Sequence, residues 1–463
     1  MTIRANSPQA RDIAYHLHPY TNLALHEKQG PQIMVKGDGI YVIDDAGNRY
    51  IEGLAGLWCT SLGFSEKRLV EAARRQLDAL PYYHGFAHKT TMPVIDLAEK
   101  LIEIAPVPMS KVFFTNSGSE ANDTQVKLVW YYNNAIGRPE KKKIISRLQG
   151  YHGVTVAAAS LTGLPYVQNA FDLPIKNIMQ TECPHYWRYG RDGESEEDFA
   201  TRMAESLESL ILDEGPETVA AFIAEPVMGA GGVILPPRTY FEKVQAVLKR
   251  HDVLFIADEV ICGFGRTGNM FGCETYDLKP DMITIAKALS SAYQPIAGVM
   301  ISKPIYEAVR DESARQGVFG TGYTYTGHPV PAAVALETLK IYEERDIVGH
   351  VRRIAPHFLE RLQALADHPL IGETRGVGLI GAVQIVEDKA TKALFDPARK
   401  VGVAAMNHAA ERGLFVRSLV ADAVAVCPPL IITEAQIDDL FDRLRQALDD
   451  TLGEIAGHGR AAE

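Results

Sequence analysis

From about residue 65 to 325, short apolar runs without polar alternation recur between stretches of helical period. The runs are VFF (112–114), II (144–145), VAAFIA (219–224), VLFIA (253–257), MITIA (282–286) and GVMI (298–301). Such runs suit strands buried on both faces, as in a parallel sheet with helices on each side. Ahead of them, IYVIDDAGNRYIE (40–52) predicts two short strands about an Asp-Asp-Ala-Gly turn. After about residue 330 the pattern predicts helices over 331–344 and 350–366, a strand near 379–386 and a helix near 401–412. Two apolar stretches, FVRSLV and AVAVCPP, follow. The expected organisation is a large α/β domain over 61–328 and a small α+β domain over 329–463, completed by the N-terminal segment 1–60. PHYWRYGRDGESEED (184–198) reads as a surface insertion, and the final GHGRAAE as a tail without structure.

Composition narrows the function classes. With 46% hydrophobic residues in 463, a sizeable core is available. The net charge is −11 and no basic block exceeds Lys141–Lys143, which argues against nucleic acid or an anionic membrane as partner. The five cysteines are scattered and form no C-x-x-C, so they indicate neither a zinc site nor a disulfide framework. No apolar signal core opens the chain, and no run reaches the roughly 18 residues of a membrane span. The reading is a soluble protein of a reducing compartment, expected in the cytoplasm.

LFIADEVICGFGRTG (254–268) places Gly263, Gly265 and Gly268 at the G-x-G-x-x-G spacing of a dinucleotide site. That motif needs a helix after the glycines. NMFGCETYDLKP offers none, so an NAD(P)-linked oxidoreductase is the weaker reading. The ends of three apolar runs are more informative. VAAFIA leads to Glu225, VLFIA to Asp258 and MITIA to Lys287. Ligands of open α/β sheets bind beyond the carboxyl ends of strands. Lys287 starts among Ile285, Ala286, Ala288 and Leu289. Apolar surroundings disfavour its charged form and make it nucleophilic toward carbonyls. In VFFTNSGSEAND, Ser117 and Glu120 fit a capping box, and Gly118 and Ser119 offer N–H groups to an anion at a helix N-terminus.

A carbonyl-reactive lysine, a carboxylate beyond a strand and a phosphate cradle together suit pyridoxal phosphate. Asp258 would keep the pyridine nitrogen protonated, and Tyr151 offers a flat face to the ring. GLAGLWC, FFTNSGSEAND, YHG, FIAEPVMGAGG, LFIADEVICGFGRTG, IAKAL and TYTGHP occur in this order. From about residue 15 to 450 the chain resembles the class III pyridoxal-phosphate aminotransferases, in particular their ω-amino acid and amine:pyruvate branch. The resemblance implies the type I, aspartate-aminotransferase-like fold and at least a homodimer with shared active sites.

Carried over by position, the resemblance makes Lys287 the lysine that bonds the cofactor and moves the proton, and Asp258 the partner of the pyridine nitrogen. Val260 and Tyr151 face the two sides of the ring. Gly118 and Ser119, with Ser117 beside them, cradle the phosphate, and Thr324 reaches it from the other subunit. Glu225 is the acid near the ring hydroxyl. Trp58 and Arg417 match the aromatic wall and the carboxylate-binding arginine of the amine:pyruvate branch. The other reading of Arg417 is a structural ion pair, for instance with Glu225. Tyr20 stands where that branch carries Phe, which makes the wall more polar. Phe86 is expected from the partner subunit, and Leu57 and Ala230 complete the pocket. The implied activity is a ping-pong transfer of an amino group from a primary amine or ω-amino acid to a keto acid, pyruvate in this branch. A mutase, racemase or decarboxylase of the same fold is the alternative.

Overall fold

A computed structural model of the chain describes residues 3–461. Its centre is a seven-stranded sheet formed by β4 (Lys111–Thr115), β5 (Lys143–Arg147), β6 (Ile178–Thr181), β7 (Val219–Ala224), β8 (Leu254–Asp258), β9 (Met282–Ile285) and β10 (Ala297–Ile301). Their order across the sheet is β4-β10-β9-β8-β7-β5-β6. Five of the seven are the apolar runs read from sequence, and β5 extends the Ile144-Ile145 pair. The β6 strand, IMQT, carries too much polarity to have been read as one.

The apolar runs are buried on both faces, and successive residues point to opposite sides. Phe222 and Ala224 of β7 enter one core with Phe255 and Ala257 of β8, whereas Ala221, Ile223 and Ile256 enter the other. The first core takes the helices Glu196–Glu214 and Tyr240–Arg250, and the second takes Gly118–Ala135. Strands β5 to β9 pair in parallel, but β10 runs antiparallel to both β4 and β9. The sheet is therefore mostly, not wholly, parallel.

Two four-stranded sheets flank this body. One holds β1 (Met34–Asp38), β2 (Tyr41–Asp44) and β3 (Arg49–Glu52), closed by β13 (Leu414–Phe415), which pairs in parallel with β3. The other holds β11 (Ile371–Val377), β12 (Ile380–Ile385), β15 (Ala423–Val426) and β14 (Arg417–Ser418), all antiparallel. Gly53 N–H donates to Phe415 O and Cys427 N–H to Gly53 O, so the early and late parts of the chain are joined by backbone bonds.

The segment 184–198 lies mostly at the surface, as expected, and is tied down there: His185 is buried and bonds Glu373, and Arg188 and Lys392 exchange bonds with each other's neighbourhood. One expectation changes. The final helix, Glu434–Ala461, runs on into the tail expected to be unstructured; Ala462 and Glu463 lie outside the described residues. No helix among the described residues is long and apolar enough to cross a membrane.

Candidate active site

Strands β7, β8 and β9 are adjacent and parallel, so Glu225, Asp258 and Lys287 emerge at one edge of the sheet. They line a cavity of about 380 Å³ with Ser117, Gly118, Ser119, Tyr151 and Val260. These eight residues, all expected at the site from the sequence, thus line one cavity. A larger cleft of about 910 Å³ along the helix Tyr240–Arg250 contains none of these residues.

Lys287 opens a single 3-10 turn, Lys287–Ser290, and has φ +50, an uncommon value for a residue with a side chain. The sheet therefore stops abruptly, and the lysine lines the cavity instead of a strand face. Burial holds its amine below the ordinary lysine value, although the Asp258 charge opposes the shift.

Asp258 is almost fully buried. Oδ2 accepts from Asn122 Nδ2 at 2.9 Å and from His152 Nδ1 at 2.8 Å, and Oδ1 accepts from Val260 N–H at 3.1 Å. Burial alone would raise its pKa. These donors outweigh that cost and hold the carboxyl below its ordinary value. Asn122 and His152 were not picked out from the sequence. Both sit inside quoted motifs, Asn122 one helical turn after Gly118 and His152 next to Tyr151. That adjacency was the available signal. Thr284 Oγ1 donates to Asn122 Oδ1 at 2.7 Å and so fixes which end of the amide faces Asp258.

The other two acids differ. Glu225 accepts Tyr151 N–H and Gly229 N–H, one on each oxygen, both at 3.0 Å, and its pKa is raised, chiefly by burial. Glu259, beside Asp258 in sequence, points elsewhere. It accepts Gly272 and Cys273 N–H at the start of a short helix, and burial pushes it up to about 7. The turn through Gly263–Gly268 folds back on itself, Phe264 N–H donating to Met270 O, and leads only to the five-residue helix Gly272–Tyr276. A dinucleotide fingerprint has no helix to end on here.

The helix Gly118–Ala135 starts at the cavity. Ser117 caps it, Oγ accepting from Glu120 N–H at 3.2 Å. The capping box is shifted, because Glu120 Oε2 reaches past Ser117 to Asn116 N–H at 2.7 Å. The first N–H groups of this helix have no partner one turn earlier, and they bring the positive end of the helix dipole to the cavity, an end that favours an anion. Ser119 Oγ accepts from Val154 N–H at 3.1 Å, which leaves its proton free to donate. A Cβ on Gly118 would lie 3.2 Å from Val260 Cγ2, so the glycine and the valine close on each other across the cavity.

A second cavity, about 1180 Å³, is linked to this one by a hydrogen bond between a tyrosine of each, Tyr20 and Tyr151. Tyr20, Ala230 and Arg417 line it, with Tyr166 and Val420. Tyr20 Oη donates to Tyr151 Oη at 3.2 Å; burial and this bond raise the pKa of Tyr20. The Arg417 guanidinium stands 5.5 Å from the centre of the Trp58 ring. Among the described residues no carboxylate pairs with Arg417, and Glu225 makes its bonds to backbone instead. The proposed structural ion pair is therefore absent among them. Trp58 is buried with φ +58 and its indole N–H is unpartnered, whereas Leu57 is half exposed.

Phe86 and Thr324 are not in either cavity of their own chain. They lie together on the surface: Phe86 abuts Gly322, and Tyr82 Oη donates to Thr324 O at 2.6 Å.

The residues fit pyridoxal phosphate. The cavity has a helix N-terminus for an anion, a buried charged carboxylate for a ring nitrogen and an amine of lowered pKa, and Val260 and Tyr151 supply apolar surface between.

Comparisons agree with this chemistry. A family model, Aminotransferase class-III, matches residues 24–448. A protein of Oryza sativa described as a probable gamma-aminobutyrate transaminase 2, mitochondrial, is 55% identical over 92% of this chain and 86% of its own length. A vanillin aminotransferase of Capsicum annuum is 55% identical over 91% of this chain and 92% of its own. Among solved structures, an omega transaminase from Pseudomonas jessenii in complex with PMP superposes with a TM-score of 0.96 at 55% identity. It covers 97% of this chain and 99% of that one.

Proposed function

The chain belongs to the class III aminotransferases, and on that premise we propose roles for its cavity residues and a substrate class. It is a pyridoxal-phosphate-dependent transaminase of the type I fold, which moves an amino group from an amine donor to a keto acid. The bound cofactor supplies an aldehyde that takes up amino groups and a ring that withdraws electrons.

Lys287 would hold that aldehyde through Nζ, and its amine would hold and move the proton at the reacting carbon. Its lowered pKa supports this, since a proton shuttle works best when its pKa is near the working pH. Asp258 keeps a proton on the ring nitrogen, and Asn122 and His152 keep Asp258 charged and aimed. Gly118, Ser119 and Ser117 would hold the phosphate, Val260 and Tyr151 would line the two sides of the ring, and Glu225 would serve its hydroxyl. The observation that carries these roles is the convergence of Lys287, charged Asp258 and the Gly118 helix terminus on one cavity.

For substrates, we propose a primary amine or ω-amino acid as donor and pyruvate as acceptor. The names of the relatives support that class: gamma-aminobutyrate is itself an ω-amino acid, and vanillin is an aldehyde, the carbonyl counterpart of a primary amine. Arg417, with no acid beside it among the described residues, is placed to take the acceptor's carboxylate, and Trp58, Tyr20, Leu57 and Ala230 shape the donor side. Phe86 and Thr324, adjacent on the surface and away from their own cavities, support a homodimer in which each chain completes the other's site. The pairing of β13 with β3 supports residues 1–60 as part of the small domain, with boundaries near 61 and 329. Five free cysteines, four of them buried, support a reducing compartment, which we take as the cytoplasm.

The test is a panel of amine donors with pyruvate, read by alanine formation. Alanine in amounts equal to the carbonyl product supports transfer to pyruvate. Carbonyl or carbon dioxide release without alanine would point to a different acceptor or to decarboxylation.

A further inference from the structure

The N-terminal segment brings three imidazoles onto one carboxylate. Ser7 caps the helix Pro8–Tyr15, which carries Asp12, and His16 follows as its C-cap. His26 belongs to the next helix, Leu23–Gln29, capped by Asn22. His16 Nδ1 lies 3.1 Å from Asp12 Oδ1, while His18 Nε2 and His26 Nε2 lie 2.6 Å and 3.0 Å from Oδ2. The rings lie in a row, tilted to one another by 45° and 40°, their centres 4.2 Å apart for His16 and His18 and 4.1 Å for His18 and His26.

Three imidazoles and a carboxylate form a donor set for a borderline divalent ion of the zinc class, bound at roughly 2.0–2.2 Å in a tetrahedron. The donor atoms of Asp12, His16 and His18 already lie within 4.8 Å of one another, and His26 faces the same oxygen as His18. The cluster is closed toward the protein and open to solvent on one side: His26 is 9% exposed, Asp12 21% and His16 60%. An ion has an entry path from solvent at the exposed His16 side. Anchorage is also present, since Gln9 Nε2 donates to Asp45 Oδ2 at 3.0 Å and ties the first helix to the β2–β3 turn.

The cluster is joined to the substrate cavity by sequence. Pro19, Tyr20 and Thr21, immediately after His18, line that cavity with Arg417, and Tyr20 meets Tyr151 there. We propose that Asp12, His16, His18 and His26 bind one divalent zinc-class ion, and that this ion fixes Tyr20 on the wall of the substrate cavity.

The test uses untagged holoenzyme freed of metal by a chelator and titrated with zinc chloride in a calorimeter. One zinc per chain is expected. His16→Ala and His18→Ala are each expected to weaken it by about tenfold or more, because each removes one of four ligands. His16 is mostly exposed, so its removal leaves folding undisturbed. His408→Ala, at a remote histidine–glutamate pair, is expected to bind zinc as the wild type does. Amide exchange over residues 12–26 is expected to slow with zinc in the wild type and not in His18→Ala. Absence of stoichiometric zinc binding, or equal binding by the two cluster variants and wild type, overturns the site. Zinc binding with unchanged exchange in this segment overturns the coupling to Tyr20.

Discussion

His152 Nδ1 donates to Asp258 Oδ2 across 2.8 Å, with both side chains sealed from solvent. Because Asp258 sits where burial would otherwise neutralise it, its charge depends on this donor and on Asn122. Asp258→Asn is expected to lower kcat by about 100-fold or more, as the loss of an electrostatic stabiliser in a closed site does. His152→Ala is expected to cost less, about 10- to 100-fold, the worth of one charge-assisted bond. Its pH profile separates aim from mere structure. Without the donor the Asp258 pKa rises, so the acid limb of kcat/KM is expected to move to higher pH. A fall in activity with an unmoved limb would contradict the assigned role of His152.

Arg417 over Trp58 gives a second prediction. Arg417→Ala is expected to slow the half-reaction with pyruvate by about 30- to 1,000-fold, from the loss of roughly 2–4 kcal/mol of bidentate pairing. The half-reaction with 1-phenylethylamine, which has no carboxylate, is expected to change little. Stopped-flow absorbance resolves the two halves, and equal losses would remove Arg417 from the acceptor site.

Gly153 gives a third. Its φ is +126, and a Cβ there would lie 2.5 Å from Ser119 Oγ and 2.9 Å from Ser119 Cα. Gly153→Ala must therefore displace the helix terminus proposed to hold the phosphate, and it adds backbone strain of about 1–2 kcal/mol. Cofactor affinity, followed by equilibrium dialysis, is expected to fall by about tenfold or more, at roughly 1.4 kcal/mol per tenfold. Unchanged affinity would show that Ser119 does not belong to the cradle.

Glu52, on the last residue of β3, links pH to stability. Burial, offset only in part by Leu54 N–H, pushes it up to about 7, and its Oε2 is unpartnered. The folded state thus holds this proton more tightly than the unfolded chain does. The contribution is fully present below the ordinary glutamate value of about 4.3 and is lost as pH rises through about 7. Glu52→Gln has no such proton to lose. Relative to that variant, the wild type is expected to lose up to about 3 kcal/mol between about pH 5 and about pH 8. Parallel stability curves for the two proteins in chemical denaturation would contradict it.

Much of this was legible in the sequence because the central strands are apolar on both faces. VAAFIA could hardly be anything else, and the charged residue at the end of each run marked the functional rim. Three strands escaped: MVKGD, IMQT and IGETRGV each carry glycine or polar side chains that break the pattern. The reversed direction of β10 was also unreadable, since an apolar run has no sign. Asn122 and His152 escaped because a polar residue inside a helix or a short loop reads as surface. Only the fold shows that both turn inward to the same carboxylate. The aspartate–histidine cluster escaped for a related reason, as residues 12 and 26 meet only when two short helices fold against each other.

The central claim is that Lys287 is the amine at the heart of the site. Borohydride reduction of the holoenzyme, digestion and peptide mass spectrometry test it directly. A pyridoxyl group is expected on the peptide bearing Lys287, and none on that peptide from Lys287→Ala. A pyridoxyl group on a different lysine of the wild type would contradict it.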